Sequence, residues 1–284
     1  MFALRHTKFY NLLYCVLNKD IIETEILPHL PTAKRGYKCK SSLIELINSI
    51  LYKLKTGVQW AYLPVQSLFS SIILNYKTVF NRYRQWCKNG AWQTCWVKIL
   101  SKYKSKLDLS SADIDGSHTT ALRGGEDVAY QGRKKRKTTN SIYLTDRQGI
   151  PLAMSMPVSG NHNDLYEIEK SITQIVNVVD QAGISVEGLF VNADGGFDGK
   201  HLYKVFEKEA IIPNIPENKR NSKFNHDRFL DEKLYEERYS IERTNAWIDS
   251  FRSCLNRFDF KTSSWIGFNY LAFIVIGLRK FTRI

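Results

Sequence analysis

The chain has 284 residues, of which 43% are hydrophobic and 13% aromatic, so it can bury a substantial core in one large domain or in a small domain joined to a larger one. Its 41 Lys and Arg outnumber its 28 Asp and Glu, and the net charge of +13 favours a polyanionic partner, nucleic acid before an acidic membrane surface, over a neutral metabolite.

No segment indicates membrane insertion or secretion. The longest strongly apolar stretch, Tyr270 to Leu278, is about half of the roughly 20 residues that a spanning helix needs, and we expect it in the core. Residues 1–18 lack an apolar region followed by a small-residue cleavage site, which predicts a cytoplasmic protein. The five cysteines form no CxxC pair and the histidines no zinc-finger spacing, so we expect reduced thiols and no structural zinc.

The first hundred residues are predicted to be helical. Residues 41–57 carry apolar side chains near 3.6-residue spacing, with a serine at the start and Gly57 at the end. Residues 75–90 predict a second helix with an apolar face, an exposed basic row and Gly90 at its end. The tryptophans of this region are expected to be core residues rather than base-stacking ones.

The pattern changes to α/β after about residue 108. Residues 111–122 predict a strand, and residues 141–160 predict two strands joined by a turn at Asp146 to Gly149. The following segments predict, in order, a helix (164–179), a strand (188–196), a helix (199–209), a strand (210–216), a polar linker (217–231) and a helix (235–252). This order predicts a five-stranded mixed sheet with flanking helices, preceded by a helical domain, with residues 1–105 and 106–284 as the two domains.

Two aspartates stand at positions suited to a site in this sheet. Asp115 lies in the first strand, where it shares a face with Asp113 because strand side chains alternate. Asp194 ends the fourth strand, and α/β sheets bind ligands at the carboxyl ends of their strands. Each aspartate precedes a glycine, so turn formation is the alternative explanation for either one taken alone.

Glu242 is the third candidate acid. On a helix over residues 235–252 it falls on a polar row with Tyr235, Arg238 and Asp249, beside a separate core face. A charged row is ordinarily the solvated side of a helix. Three carboxylates around one cleft repel one another unless cations neutralise them, so the combination predicts two Mg²⁺ ions, with Mn²⁺ as a substitute, held by Asp115, Asp194 and Glu242.

Several motifs carry a family resemblance that covers most of the chain from about Glu25 onward. They are "LPHLP", "INSILYKLKTGVQWAYLP" and "VFNRYRQWCKNGAW", then "DIDGSHT", "LTDRQGIPLAMSMPVSGNHND", "NADGGFDG" and "YEERYSIERTNAWIDSFR". In this order the chain resembles the DDE transposases of small bacterial insertion sequences, in particular the insertion-sequence-five group and its insertion-sequence-four relatives. The resemblance implies a ribonuclease H-like catalytic domain after a small helical DNA-binding domain.

The resemblance also implies roles for residues. The two aspartates and the glutamate of the family match Asp115, Asp194 and Glu242, and its helix signature of Tyr, Arg, Glu and Lys is met by Tyr235, Arg238 and Glu242. The last position of the signature is Asp249 instead of Lys. The family's basic residue is expected to touch DNA near the scissile phosphate, a role that Arg252 or Arg243 could take over.

The activity implied is that of an insertion-sequence transposase. It would bind the terminal inverted repeats of its element, cleave DNA at the element ends and join the 3′ hydroxyls to target DNA by two-metal-ion phosphoryl transfer, as a homodimer in a synaptic complex and in association with the bacterial nucleoid, with no membrane partner. The predicted DNA contacts are Lys77, Arg82, Arg84, Arg133, Lys134, Lys135, Arg136, Tyr235, Arg238 and Arg252.

Two alternatives remain open at the level of sequence. A metal-dependent nuclease of the same fold would hydrolyse DNA without joining it, and a catalytically inactive descendant of a transposase would bind DNA through its basic N-terminal region alone. The segment 133–137 is either a DNA clamp on a mobile loop or a freely solvated loop. The role of Asp113 beside Asp115 is also open.

Overall fold

The structure is a computed structural model that describes residues 13–32, 40–218 and 229–282. The helices before the sheet are α1 (Lys19–Ile21), α2 (Leu43–Thr56), α3 (Val65–Leu68), α4 (Tyr76–Lys88) and α5 (Ala91–Tyr103). The two predicted helices are confirmed as α2 and α4, whereas α5 was not predicted. Gly57 ends α2 with φ 68°, and Asn75 caps α4 by accepting a hydrogen bond from the Lys77 N–H at 2.9 Å.

The remainder of the chain forms one mixed sheet and its helices. The strands are β1 (Ala112–Ala121), β2 (Ala129–Gln131), β3 (Arg136–Asp146), β4 (Pro151–Met154), β5 (Val158–Ser159), β6 (Phe190–Asn192), β7 (Ile212–Asn214) and β8 (Asn256–Arg257). The helices are α6 (Ile168–Gln181), α7 (Lys200–Lys208), α8 (Glu232–Glu236), α9 (Tyr239–Asp249), α10 (Arg252–Leu255) and α11 (Thr262–Phe281).

The order of the strands confirms the predicted ribonuclease H-like sheet. The long strands β1 and β3 pair antiparallel, and β6 and then β7 add to β1 in parallel orientation. The edge of β3 away from β1 pairs with β2, β5 and β4 in succession. The five predicted strands are β1, β3, β4, β6 and β7. Three short strands, β2, β5 and β8, were not predicted.

The helices before and after the sheet share a single hydrophobic core. Helix α11 packs against α4 and α5, and its segment Tyr270 to Leu278 is buried throughout, which confirms it as a core segment. Trp96 of α5 donates its Nε1–H to the Leu152 carbonyl of β4 at 2.9 Å and packs edge-on against Phe273 of α11. None of the helices in the described ranges is both long and apolar enough to cross a bilayer.

Buried aromatic side chains confirm the expectation for most of the tryptophans. Trp86, Trp92 and Trp96 are at most 2% exposed and Trp60 is partly buried.

Four of the five cysteines lie in the described ranges, and all four are free thiols. The fifth, Cys39, lies outside the described residues, as do positions 219–228 of the predicted linker and residues 1–12 of the N-terminal segment. The domain boundary near residue 105 stays a prediction.

Three local predictions need correction. The predicted helix 235–252 is divided into α8, α9 and α10, with a turn at Glu237 and Arg238. The division follows from its anchors: the start of α8 is bonded to β7, and the start of α9 is bonded to β1. The predicted loop at 133–137 is the turn and arm of a hairpin between β2 and β3, and the predicted helix 164–179 begins later, at Ile168.

Candidate active site

Asp115 and Asp194 are brought together by the register of two parallel strands. Asp113 of β1 is the partner of Asn192, the last residue of β6. Two residues further on, Asp115 and Asp194 therefore follow at the same level of the sheet and on the same face. Asp194 also caps a short 3₁₀ turn by accepting a hydrogen bond from the Gly196 N–H at 2.8 Å. The expectation that both acids adjoin one cleft, at the carboxyl end of β6, thus has a geometric basis.

The surroundings of Asp115 disfavour its charged form. Burial, reinforced by the carboxylates of Asp164 and Asp194, raises the pKa of Asp115 to about 6. The hydrogen bond from the Gly116 N–H and the guanidinium of Arg238 act in the opposite direction. A divalent cation at this point would offset the repulsion between the carboxylates.

Asp164 is a member of this cluster that the sequence reasoning missed. It precedes α6, and its carboxylate lies against the backbone of Gly116, so a side chain at position 116 would collide with it. Asn140 of β3 donates its Nδ2–H to Asp164 at 2.7 Å. Asp164 occurs in the motif "GNHND", and Gly116 follows Asp115 directly. These two features identify Asp164 as a neighbour of Asp115 only once the contact between the two distant segments is known.

His118 completes the surroundings of Asp164. Its Nε2 lies 3.8 Å from the Asp164 carboxylate, and its Nδ1 lies 3.3 Å from the Thr138 hydroxyl. Burial lowers the pKa of His118 more than Asp164 raises it, so the imidazole is neutral at pH 7. The contact with Asp164 is therefore not an ion pair at that pH.

Helix α9 packs across β1 and β3 beside these acids. Its sheet-facing side carries Ser240 and Thr244, which donate hydrogen bonds to Asp113 and to the Gly149 carbonyl. Asn245 donates its Nδ2–H to Asp115 at 3.3 Å. Glu242 is exposed and lies three residues before Asn245, about 60° around the helix axis. The helix therefore presents Asn245 to Asp115, with Glu242 on the adjoining outer side.

The structure places the three predicted metal ligands on β1, after β6 and on α9 without gathering them into a ligand set. Across the described ranges, no three or more His, Cys, Asp or Glu side chains form a group that could hold a metal ion. The two aspartates fit a hard divalent cation in donor chemistry and in their mutual repulsion. All three acids stay predicted ligands, and Glu242 is the one for which the structure shows no contact with the other two.

The other residues predicted to serve this site lie on the segment from α8 to α10. The Arg238 guanidinium lies 5.6 Å from the Tyr235 ring centroid and lowers the pKa values of Asp113 and Asp115 against the larger effect of burial. Arg252 is exposed at the start of α10, close to Gly57 at the end of α2. Arg243 lies between the rings of Tyr239 and Trp247, at 5.5 and 5.9 Å.

The β2–β3 hairpin brings its basic residues close to His118 of β1. Lys134 donates its Nζ–H to the carbonyl of His118 at 3.0 Å, and its charge lowers the pKa of Asp249 against the larger raising effect of burial. Lys135 has a φ of 51°, which makes it part of the turn, and Arg133 and Arg136 are exposed on either side. Lys134 is thus a basic residue whose charge acts on Asp249, the acid that stands where the family signature has Lys.

The predicted basic row on α4 lies on the helix face away from its core. Lys77 and Arg84 are exposed and Arg82 is half-buried. The Arg82 guanidinium lies 5.9 Å from the Trp86 ring centroid, and that of Arg84 lies 5.6 Å from the Phe80 ring centroid. These residues are available to a phosphate backbone, but nothing in the geometry of α4 joins them to the acids of the sheet.

Comparisons with known proteins match a family model to each part of the chain. A family model described as a transposase of the IS4/5 family matches residues 24–96, and a model described as a transposase DDE domain matches residues 107–267. A protein of 16.2 kDa from insertion element IS402 of Burkholderia cepacia, itself uncharacterized, is 29% identical over 114 residues, which is 38% of this chain and 75% of that protein.

Solved structures of the Mos1 transposase also align with the chain. The catalytic domain of the Mos1 mariner transposase is 10% identical with a TM-score of 0.29, covering 73% of this chain and 95% of that one. A Mos1 paired-end complex with the left transposon end is 12% identical with a TM-score of 0.29, covering 85% and 79%. Because the DDE-domain model spans more than half of its residues, the chain belongs to the DDE transposases.

Proposed function

We propose that the protein binds the terminal inverted repeats of its own insertion sequence, cleaves the DNA at the element ends and joins the freed 3′ hydroxyls to target DNA. Asp115, Asp194 and Glu242 are the proposed catalytic acids and would hold two Mg²⁺ ions, for which Mn²⁺ could substitute. Bound in this way, the ions would activate the attacking water or hydroxyl and stabilise the leaving oxygen of an in-line displacement.

One observation supports this proposal: Asp113 pairs with Asn192, so that Asp115 and Asp194 follow on neighbouring central strands at the end of β6, on the sheet against which α9 packs. Burial and the neighbouring carboxylates of Asp164 and Asp194 raise the pKa of Asp115. A cation bound between Asp115 and Asp194 would offset this cost, which is the arrangement that a metal site requires. Asn245 of α9 donates a hydrogen bond to Asp115, and Glu242 lies on the same helix. This contact keeps the helix that carries the third acid beside Asp115.

The remaining residues would handle the DNA. Arg238 adds positive charge beside Asp115, and the hairpin residues Arg133 to Arg136 lie at the same end of β1 and β3 as His118 and Asp164. The row of Lys77, Arg82 and Arg84 would bind the duplex farther from the acids. A net charge of +13 supports binding through the phosphate backbone. Since two DNA ends have to be joined together, we propose a homodimer as the working unit.

The test uses the purified full chain, labelled duplexes of the element's own ends, a target duplex and Mg²⁺. Wild type should yield cut ends and covalently joined products, and both should require the metal. Glu242→Gln should bind the ends with unchanged affinity and yield neither product. The matched control is Glu236→Gln, the same chemical change at an exposed glutamate of α8, which should cut and join as wild type does.

Other outcomes identify the two alternatives. Cutting without joined products would indicate a nuclease of this fold. End binding without any cutting, in Mg²⁺ and in Mn²⁺, would indicate an inactive DNA-binding descendant. Cleavage by Glu242→Gln at the wild-type rate would remove Glu242 from the site.

A further inference from the structure

A chain of buried polar side chains crosses the parallel half of the sheet. Asp113, Asn192 and Asn214 are consecutive partners on β1, β6 and β7. Asn192 donates its Nδ2–H to Asp113 at 2.7 Å, and Asn214 donates its Nδ2–H to Asn192 at 2.7 Å. All three residues are at most 2% exposed. We refer to Asp113, Asn192 and Asn214 as the polar ladder.

Both ends of the polar ladder are attached to the segment that carries the helix signature. At one end, the free carboxylate oxygen of Asp113 accepts the hydroxyl of Ser240 in the first turn of α9. At the other end, Asn214 accepts the Asp231 N–H at 2.8 Å and donates to the Asp231 carbonyl at 3.1 Å. Asp231 in turn caps α8 by accepting the Leu234 N–H at 3.0 Å. The polar ladder thus holds the first residues of α8 and of α9.

The polar ladder costs folding free energy that apolar residues would not, and a role in orienting α9 accounts for that cost. A carboxylate buried in the middle of a sheet loses its hydration, and hydrogen bonds from neutral donors recover only part of that loss. Aliphatic side chains of similar volume would pack the same space without this cost. What apolar side chains would not provide is direction, because a hydrogen bond from Ser240 to one oxygen fixes both the height and the rotation of α9.

The rotation of α9 matters for the acids of the site. Ser240 lies two residues before Glu242 and five before Asn245, which contacts Asp115. A slip of α9 by one residue would turn Glu242 by about 100° and separate Asn245 from Asp115. The bond between Ser240 and Asp113 is therefore placed where it determines which side of the helix meets Asp115.

We infer that Asp113 is a positioning residue that aims α9 through Ser240, and that it does not ligate the catalytic metal. This inference rests on the proposed function, because it concerns the alignment of Glu242 with Asp115 and Asp194. It separates the roles of the two aspartates of "DIDGS", which stand on the same face of one strand: Asp113 bonds to Asn192 and to the helix, and Asp115 adjoins Asp164, Asp194 and Asn245.

The experiment compares Asp113→Asn, Asp113→Ala and Ser240→Ala with wild type in single-turnover cleavage of a labelled element end, together with end-binding affinity and thermal midpoint. An amide at position 113 can still accept from Asn192 and pair with the Ser240 hydroxyl, so Asp113→Asn should cut within about threefold of wild type. The two alanine variants should cut roughly 10- to 100-fold more slowly at saturating protein, because small misplacements of reacting groups carry penalties of that order. Their end-binding affinity should be unchanged.

The matched control is Ser253→Ala in α10, another buried helical serine, whose hydroxyl bonds to the Lys53 carbonyl at 2.9 Å. It should lower the thermal midpoint without slowing cleavage. All rates are measured well below the midpoints of the variants. If Asp113→Ala does not fold, Ser240→Ala carries the comparison alone, since it removes a single hydroxyl.

Three results would overturn the inference. Asp113→Asn as inactive as Glu242→Gln would make Asp113 a metal ligand. Ser240→Ala that cuts at the wild-type rate would show that the polar ladder does not align α9. Loss of end binding in parallel with cleavage would indicate a general structural role. Failure of the proposed function is distinguishable from all three, because it would appear without any change at Asp113 or Ser240: as end binding without cutting by wild type, or as cleavage that persists in Glu242→Gln.

Discussion

Helices α4 and α9 have similar patterns in sequence and different surroundings in the fold. Both carry a charged row beside a buried face. The buried face of α4 is apolar and aromatic, with Tyr83 and Trp86 in the core. The buried face of α9 includes two hydroxyls, of Ser240 and Thr244, which bond to the sheet. Tyr83 and Trp86 of α4 also donate hydrogen bonds, to the carbonyls of Ser264 and Pro31, but neither carbonyl belongs to the sheet. Of the two helices, α9 is the one whose buried face is bonded to the part of the fold that bears the acids.

The difference predicts two kinds of contribution to function. Charges on α4 act through their sign and their number, so their effects on DNA binding should be modest and sensitive to salt. Side chains on α9 and on the adjoining strand ends act through position, so their effects on cleavage should be large and independent of binding.

The largest effect is expected for Asp115→Asn, which retains the shape of the side chain and removes its charge. Cleavage of an element end should fall by roughly 10³-fold or more, because metal-assisted displacement contributes several kcal/mol to the transition state. End binding should be unchanged in a mobility-shift titration. Asp180→Asn, at an exposed position of α6, is the matched control. A residual rate near that of wild type would contradict the assignment of Asp115.

The next effect concerns the core that both regions share. Trp96→Ala should lower the free energy of unfolding by about 3 to 5 kcal/mol, because it removes a buried ring that joins α5, β4 and α11. Denaturant unfolding followed by far-UV circular dichroism measures it. Tyr62→Ala, at a position 73% exposed, should change the same quantity by less than about 0.5 kcal/mol. Two separate unfolding transitions in wild type would show that the N-terminal helices do not share this core.

A third effect tests the polar side chains beneath α9. Burial raises the pKa of Asp146 to about 6 against its ordinary 3.8, although the N–H groups of Ile150 and Asp108 bond to its carboxylate at 2.7 and 3.0 Å. Protonated Asp146 therefore favours the folded state, and this contribution is complete below about pH 4 and lost as the pH rises through 6. It amounts to at most about 3 kcal/mol.

The measurement is the free energy of unfolding of wild type and of Asp146→Asn between about pH 4 and pH 7. An amide does not titrate, so the variant should gain on wild type by up to about 3 kcal/mol as the pH rises. Subtraction of the two curves cancels the titration of all other groups. A constant difference between the curves would mean that Asp146 has the same pKa in the folded and unfolded states.

The smallest effect is expected on α4. Lys77→Ala combined with Arg84→Ala should reduce the slope of the logarithm of end-binding affinity against the logarithm of salt concentration by about 2, because each removed side chain leaves one phosphate without its cation. The cleavage rate at saturating protein should not change. Lys170→Ala, at an exposed lysine already paired with Glu167, should leave the slope as in wild type. A changed cleavage rate in the double variant would erase the distinction between the two helices.

Much of the architecture followed from local patterns. The alternation of side chains in "DIDGS" and the apolar run before "DGG" identified β1, β6 and the two aspartates, because strand geometry has a period of two whatever the rest of the chain does. The spacing of apolar residues identified α2 and α4 for the same reason, with a period of about 3.6. These features depend on a few neighbouring residues and on backbone sterics.

Other features depended on contacts between distant segments. Asp164 is far from Asp115 in the sequence and reaches it only because β1 lacks a side chain at Gly116. The division of the predicted helix at Glu237 arises because α8 and α9 are bonded to different strands. Neither contact leaves a periodic trace in the sequence, since each joins one atom pair across the fold.

The sequence by itself determined the chain order of the five strands it predicts, the basic charge and the identity of the candidate acids, because periodicity, composition and motif order are properties of the chain. The tertiary structure alone decided that Asp113 bonds to Ser240 and Asn192, that Asn245 rather than Glu242 contacts Asp115, and that Lys134 accompanies Asp249. These outcomes depend on the register of parallel strands and on the rotation of one helix, and both are set by the sum of long-range packing and hydrogen bonds.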